Sequence, residues 1–242
     1  MKGVRIAAVA CLSTLALLAV ISRSEAQETK NTPPAANPGI PVYNPPLRGA
    51  PGGRVGGGTR GAGRTGREVF VLSALAPDHP GLTVNEQPSL YWFISNPSSV
   101  PVEVTVADPA GTQPLLELQL PPPVRRGVHR IRLADHNVRL APGVPYRWFV
   151  AVVADPSRRS RDILAGGTIE RIALPEGLRL KLAQADKAQL PFLYAEAGLW
   201  YDAFGAISEL IEAAPNDPEL RKQRAALVAQ AGLPELPEYT TP

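Results

Sequence analysis

The 242-residue sequence predicts a mainly β protein, an antiparallel β-sandwich followed by a C-terminal α-helical hairpin. Three observations carry that expectation. Between residues 68 and 174 apolar side chains recur at every second position, in short runs separated by Pro-, Gly-, Asn- and Asp-rich turns. After Pro175 the repeat lengthens to the helical period of about 3.6 residues. The chain also holds 21 Gly and 27 Pro, a density that argues for many turns and against a helical bundle.

The chain opens with Lys2 and Arg5, and an almost unbroken apolar run from Ile6 to Ile21 follows. Ser24-Glu25-Ala26 then offers small residues where signal peptidase reads them. The run is shorter than the roughly 20 residues that span a bilayer, so residues 1–26 read as a signal peptide cut between Ala26 and Gln27. That predicts export to the periplasm or cell surface, with no transmembrane anchor after cleavage. The single cysteine, Cys11, lies in the leader, so the mature chain has no disulfide or thiolate metal site.

Residues 27–67 read as a disordered linker. From Asn31 to Arg67, 17 of 37 residues are Pro or Gly, too thin in apolar content to offset the entropy of folding. Gly61-Ala62-Gly63-Arg64-Thr65-Gly66 has the form of a dinucleotide fingerprint. That motif works between a strand and a helix N-terminus, and here a flexible tract precedes it and a strand follows. Residues 27–67 carry six cationic side chains and one acidic, whereas residues 68–242 carry 16 and 20. The folded part is mildly acidic, so the net charge of +3 does not point to nucleic acid.

The expected strands then follow in order. Val69-Phe70-Val71-Leu72 begins one, and Asp78-His79-Pro80-Gly81 turns it. Leu90-Tyr91-Trp92-Phe93-Ile94 is apolar on both faces, as a strand covered on both sides must be. Val102-Glu103-Val104-Thr105-Val106, Leu116 to Leu120 and Val128 to Leu133 alternate in and out, with Asp108-Pro109-Ala110-Gly111 as a tight turn. Leu140-Ala141-Pro142-Gly143 precedes Tyr146-Arg147-Trp148, an arrangement resembling the tyrosine corner of immunoglobulin-like sandwiches. Tyr146 would open the penultimate strand, Arg158-Arg159-Ser160-Arg161 would be its hairpin loop, and Ile163 to Ile172 the last strand.

Residues 175–236 are expected to be helical, with 237–242 as a tail. Leu193, Ala197, Trp200, Phe204, Ile207, Ile211 and Ala214 form one apolar stripe. Asp217-Pro218-Glu219 supplies a cap, a proline at the first position and an acid near the dipole. Leu220, Leu227, Val228 and Ala231 line the second helix, which Gly232 and Pro234 end. Gly198, Trp200, Ala203 and Pro215 resemble the second helix of a single tetratricopeptide-like unit.

Several stretches together resemble an uncharacterised family of exported, mainly cyanobacterial proteins, catalogued as domain of unknown function 928. They are Gly56-Gly57-Gly58-Thr59-Arg60-Gly61, Leu75 with Pro77, Gly81-Leu82-Thr83, Tyr146-Arg147-Trp148, Asp155-Pro156 with Arg159-Ser160, and Tyr194 to Ala203. The resemblance covers roughly residues 54–236. It implies a fold and an exported address but no chemistry. Proteins of the family it resembles often carry a Cys soon after the first stretch and another before Asp-Pro; Ala62-Gly63 and Ala154 stand there in this chain.

No catalytic constellation is legible. His79, His129 and His136 have no metal spacing, and Glu68, Glu86 and Glu103 form no assignable acid–base pair. No cofactor is expected. Two features point to binding instead. Trp200 and Tyr201 are adjacent, so one ring is expected to stay partly exposed as a partner anchor. Arg158, Arg159 and Arg161 at a hairpin tip would grip a carboxylate or sulfate. The sequence therefore reads as a non-enzymatic interaction module whose partner is another envelope protein or a polysaccharide. A carbohydrate-binding module is the alternative, and a hydrolase with carboxylates converging in the fold the third reading.

Overall fold

The computed structural model describes residues 39–46, 53–56, 70–109 and 113–233. The expected leader with its Ala26/Gln27 cleavage position, most of segment 27–67 and the tail 237–242 lie outside the described residues.

Among the described residues, eight strands form two sheets. β1 (Leu72–Ala74), β3 (Ser89–Ile94) and β6 (Gly127–Arg132) make an antiparallel sheet in the order β1-β3-β6. The second has the order β2-β8-β7-β4-β5, from β2 (Gly81–Thr83), β4 (Val102–Ala107), β5 (Pro114–Leu120), β7 (Pro145–Val152) and β8 (Ile163–Arg171). Its pairs are antiparallel except β2 with β8. Together they give a mainly β, sandwich-like body.

Alternation sets the faces. Val102, Val104 and Val106 of β4 are fully buried, whereas Glu103 and Thr105 between them are half-buried. Val104 lies opposite Val150 and Val106 opposite Trp148 on β7, so their apolar side chains meet across the ladder. Before β7, the Tyr146 hydroxyl accepts a hydrogen bond from the Ala141 N–H at 3.1 Å. β3 is buried on both faces because helices cover one of them: Tyr91 meets Phe204 edge-on at 5.1 Å.

Where the sequence predicts a hairpin of two helices, four follow among the described residues: α1 (Glu176–Gln184), α2 (Leu190–Glu196), α3 (Trp200–Ala213) and α4 (Pro218–Gln230). The expected continuous stripe from Leu193 to Ala214 is broken at Gly198, whose φ is +74°. There the Gly198 N–H reaches Ala195 O and the Leu199 N–H reaches Tyr194 O, the paired bonds that close a helix through a left-handed residue. α4 starts as expected, with the Asp217 carboxylate accepting from Glu219 N at 2.9 Å. α1 and the three-residue β2 were not legible as separate elements. Among the described residues, no helix is long and apolar enough to cross a membrane.

The linker expectation needs correction at two places. Residues 39–46 and 53–56 pack on the body, with Tyr43 only 6 % exposed. Val55 pairs with Gly166 of β8, the Thr168 hydroxyl donates to Gly53 O, and Arg54 donates to Ala231 O and Gly232 O just beyond α4. A guanidinium on the last carbonyls of a helix satisfies groups that the helix cannot.

Candidate interaction site

The two aromatic candidates turn inward, which corrects the expectation that one stays exposed. Trp200 is fully buried and Tyr201 is 3 % exposed. α3 begins against the crossing from β1 to β2, where the Trp200 indole N–H donates to Leu75 O at 2.9 Å. The Tyr201 hydroxyl accepts from Trp148 Nε1 at 2.9 Å and donates to Thr168 O at 3.0 Å. Both polar ends are thus satisfied inside, and these rings fasten the helices to the sheets.

The arginine tip is also occupied from within. Arg158 pairs with Asp155, and Arg159 pairs with both Glu103 and Asp162. Arg159 holds the Glu103 carboxyl below its ordinary range through its hydrogen bond and charge. Arg161 is exposed. The expected three-arginine clamp is therefore neutralised at two positions, because the β4 carboxylate and the hairpin's own acids lie beside it.

What the structure assembles instead is a seat for an extended peptide, the segment Gly39-Ile40-Pro41-Val42-Tyr43-Asn44-Pro45-Pro46. Its side chains alternate: Pro41 and Tyr43 are buried, while Ile40 and Val42 are 44 % and 62 % exposed. The Gln230 side-chain amide at the end of α4 reads the backbone from both sides. Its Oε1 accepts from Tyr43 N at 2.8 Å, and its Nε2 donates to Pro41 O at 2.8 Å. At the end of α2, Asn44 N donates to Ala195 O and Asn44 Nδ2 donates to Glu196 O, each at 3.1 Å. Ala195 O also accepts from Gly198 N, so the Asn44 N–H takes the second lone pair of that carbonyl.

The Tyr43 ring enters the seat between two aromatic walls. It lies edge-on to Trp200 at 5.1 Å and parallel to His79 at 6.0 Å. His79 Nδ1 is 3.0 Å from Pro80 O, which can only accept, so in the neutral ring Nε2 accepts from the Tyr43 hydroxyl at 3.2 Å. Burial pushes the Tyr43 hydroxyl further up and keeps it protonated. A Cβ at Gly198 would stand 2.6 Å from Asn44 O, so this glycine serves both the helix end and the close approach of the segment.

Sequence reasoning placed residues 39–46 in the linker because their proline content masks any period. The available signal was a lone Tyr inside a Pro-rich tract; the in–out alternation of Ile40-Pro41-Val42-Tyr43 is visible only in the structure, since all four residues are apolar.

A second feature is a polar cleft of about 160 Å³ lined by Asn85, Ser89, Tyr194, Asp202 and Glu209, among others. The Asp202 carboxylate accepts from Thr83 Oγ1 at 3.2 Å and from Val84 N at 3.0 Å. Burial outweighs these bonds and pushes its carboxyl up to about 6. Both oxygens are engaged in tying α3 to β2, which leaves the group a structural role. Among the described residues, no three His, Cys, Asp or Glu side chains are grouped to hold a metal ion.

The profile of one protein family, described as Domain of Unknown Function (DUF928), matches residues 55–240. No curated protein matches the chain.

Proposed function

The chain belongs to the DUF928 family, and from that premise we propose that it is an exported, non-enzymatic interaction module of the cell envelope. The observation that carries this reading is the Gln230 amide, which pairs with the backbone of an extended segment on both sides of Val42. Such pairing is how proteins hold peptides whose sequence they read through one or two pockets. The export half of the reading rests on the leader-like residues 1–26. The same reading takes the sandwich as immunoglobulin-like, supported by its strand order and the Tyr146–Ala141 hydrogen bond. It takes α2 and α3, joined at the left-handed Gly198, as a single tetratricopeptide-like unit.

The carbohydrate reading has less support. Among the described residues every Phe, Tyr and Trp ring is buried or half-buried, so none of them offers a sugar an exposed stacking face. The test is affinity capture from envelope extracts with residues 27–242, followed by cross-linking mass spectrometry, run beside a polysaccharide panel. Cross-links from Lys181 or Lys222 to one extended segment of a retained protein are expected. Retention of a polysaccharide with no protein would replace this reading by the carbohydrate-binding one.

A further inference from the structure

We infer that the Tyr43 seat is an exchangeable peptide-binding site selective for an extended Pro-x-Tyr-Asn segment. The chain's own residues 39–46 fill it in cis, and a matching segment of another envelope protein takes it in trans. This rests on the interaction-module reading and names its ligand.

The seat stands independently of its occupant. Gln230 belongs to α4, Ala195 and Glu196 to α2, and Trp200 to α3, where its indole is fixed by Leu75. The Tyr201 hydroxyl, bonded to Trp148 and Thr168, holds the same helix on the sheet. None of these fastenings uses residues 39–46. The segment forms no strand or helix of its own and has no rung in either sheet. It is held as a ligand is, by hydrogen bonds to groups far along the chain and by one large buried ring.

The contacts also define what fits. Gln230 needs a carbonyl at the first position and a free N–H two residues later. Proline is therefore admitted at the first, where its missing N–H is not called on, and excluded at the third. The intervening side chain points outward, as Val42 does at 62 % exposure, and is not read. The third position needs an aromatic ring for Trp200 and a hydroxyl for His79; phenylalanine leaves His79 Nε2 without its donor, while Nδ1 keeps Pro80 O. The fourth needs a side-chain donor for Glu196 O, which the Asn44 amide supplies.

The test uses the full mature chain, residues 27–242, carrying Tyr43→Ala so that its own segment loses the anchor. A fluorescein-labelled octapeptide copying residues 39–46 is titrated and followed by fluorescence polarisation. Binding to Tyr43→Ala is expected to be at least tenfold tighter than to the wild type, whose seat is filled. Adding Gln230→Ala, or replacing the peptide tyrosine by alanine, is expected to weaken it at least tenfold. Tyr43→Leu, which retains apolar volume, serves if Tyr43→Ala does not give a cooperative melt. Equal binding to wild type and variant, or binding indifferent to Gln230→Ala, overturns the inference. So does a wild-type dimer in which each copy's segment occupies the other's seat. Peptide failure with envelope-protein capture intact defeats this inference alone; failure of both defeats the module reading beneath it.

Discussion

Trp148 Nε1 donates to the Tyr201 hydroxyl at 2.9 Å, joining the buried face of β7 to the first turn of α3. One hydrogen bond thus couples the sandwich to the helices that carry the peptide seat. The same hydroxyl donates onward to Thr168 O on β8, so it is satisfied in both directions where no water reaches it.

Replacing that hydroxyl alone is the cleanest probe of the coupling. Tyr201→Phe keeps the ring and strands the Trp148 indole N–H, which at a buried site costs about 1–3 kcal/mol. Trp200→Ala removes a fully buried indole and is expected to cost about 3–5 kcal/mol. Urea denaturation checks both. A Trp200→Ala variant as stable as the wild type would return that ring to the role of a surface anchor.

Asp202 predicts a pH dependence. Its folded-state pKa of about 6 lies above the ordinary 3.8, so the folded protein holds the proton more tightly than the unfolded chain does. The stabilisation from this group is fully present below about pH 3.8 and is lost as pH rises through about 6. Asp202→Asn can keep an acceptor for Val84 N and place its amide toward Thr83, without a charge to bury. Relative to that variant, the wild type is expected to lose stability between pH 4 and pH 7. Parallel stability curves for the two proteins would contradict this account of the carboxylate.

Arg54 predicts protection from trypsin. Its guanidinium donates to Ala76 O, Ala231 O and Gly232 O, and the next residue pairs with β8. Cleavage after Arg54 requires that backbone to leave the sheet and enter a protease cleft. Mass spectrometry of a digestion time course is expected to show the Arg54–Val55 bond intact until global unfolding. Early cleavage there would mean that residues 53–56 do not dock.

The parts of this fold that were legible in sequence are those with a long period or a strong local signal. β4 declared itself through Val102, Val104 and Val106, and α4 through Asp217-Pro218. Local sequence places the tip at Arg159 in a loop, but its partner Glu103 is far away in sequence, and no local pattern reveals that pairing. The stripe from Leu193 to Ala214 hid the break at Gly198, because three- and four-residue spacing survives a one-turn interruption. Trp200 and Tyr201 look alike in sequence as rings on neighbouring helix positions. Only Leu75 O and Trp148 Nε1, supplied by remote segments of the chain, decide that both turn inward. The seat was the least legible feature, since Tyr43, His79, Ala195 and Gln230 meet from four distant segments.

The most direct test of the seat is amide hydrogen exchange at Tyr43 and Asn44 in residues 27–242. Their N–H groups donate to Gln230 Oε1 and Ala195 O. In the wild type both are expected to exchange far more slowly than in the free octapeptide of residues 39–46. Gln230→Ala is expected to return Tyr43 toward the free rate while the amides of β7 and β8 stay protected. Exchange of Tyr43 and Asn44 at the free-peptide rate in the wild type would contradict the seat, and with it the reading of this protein as a holder of extended segments.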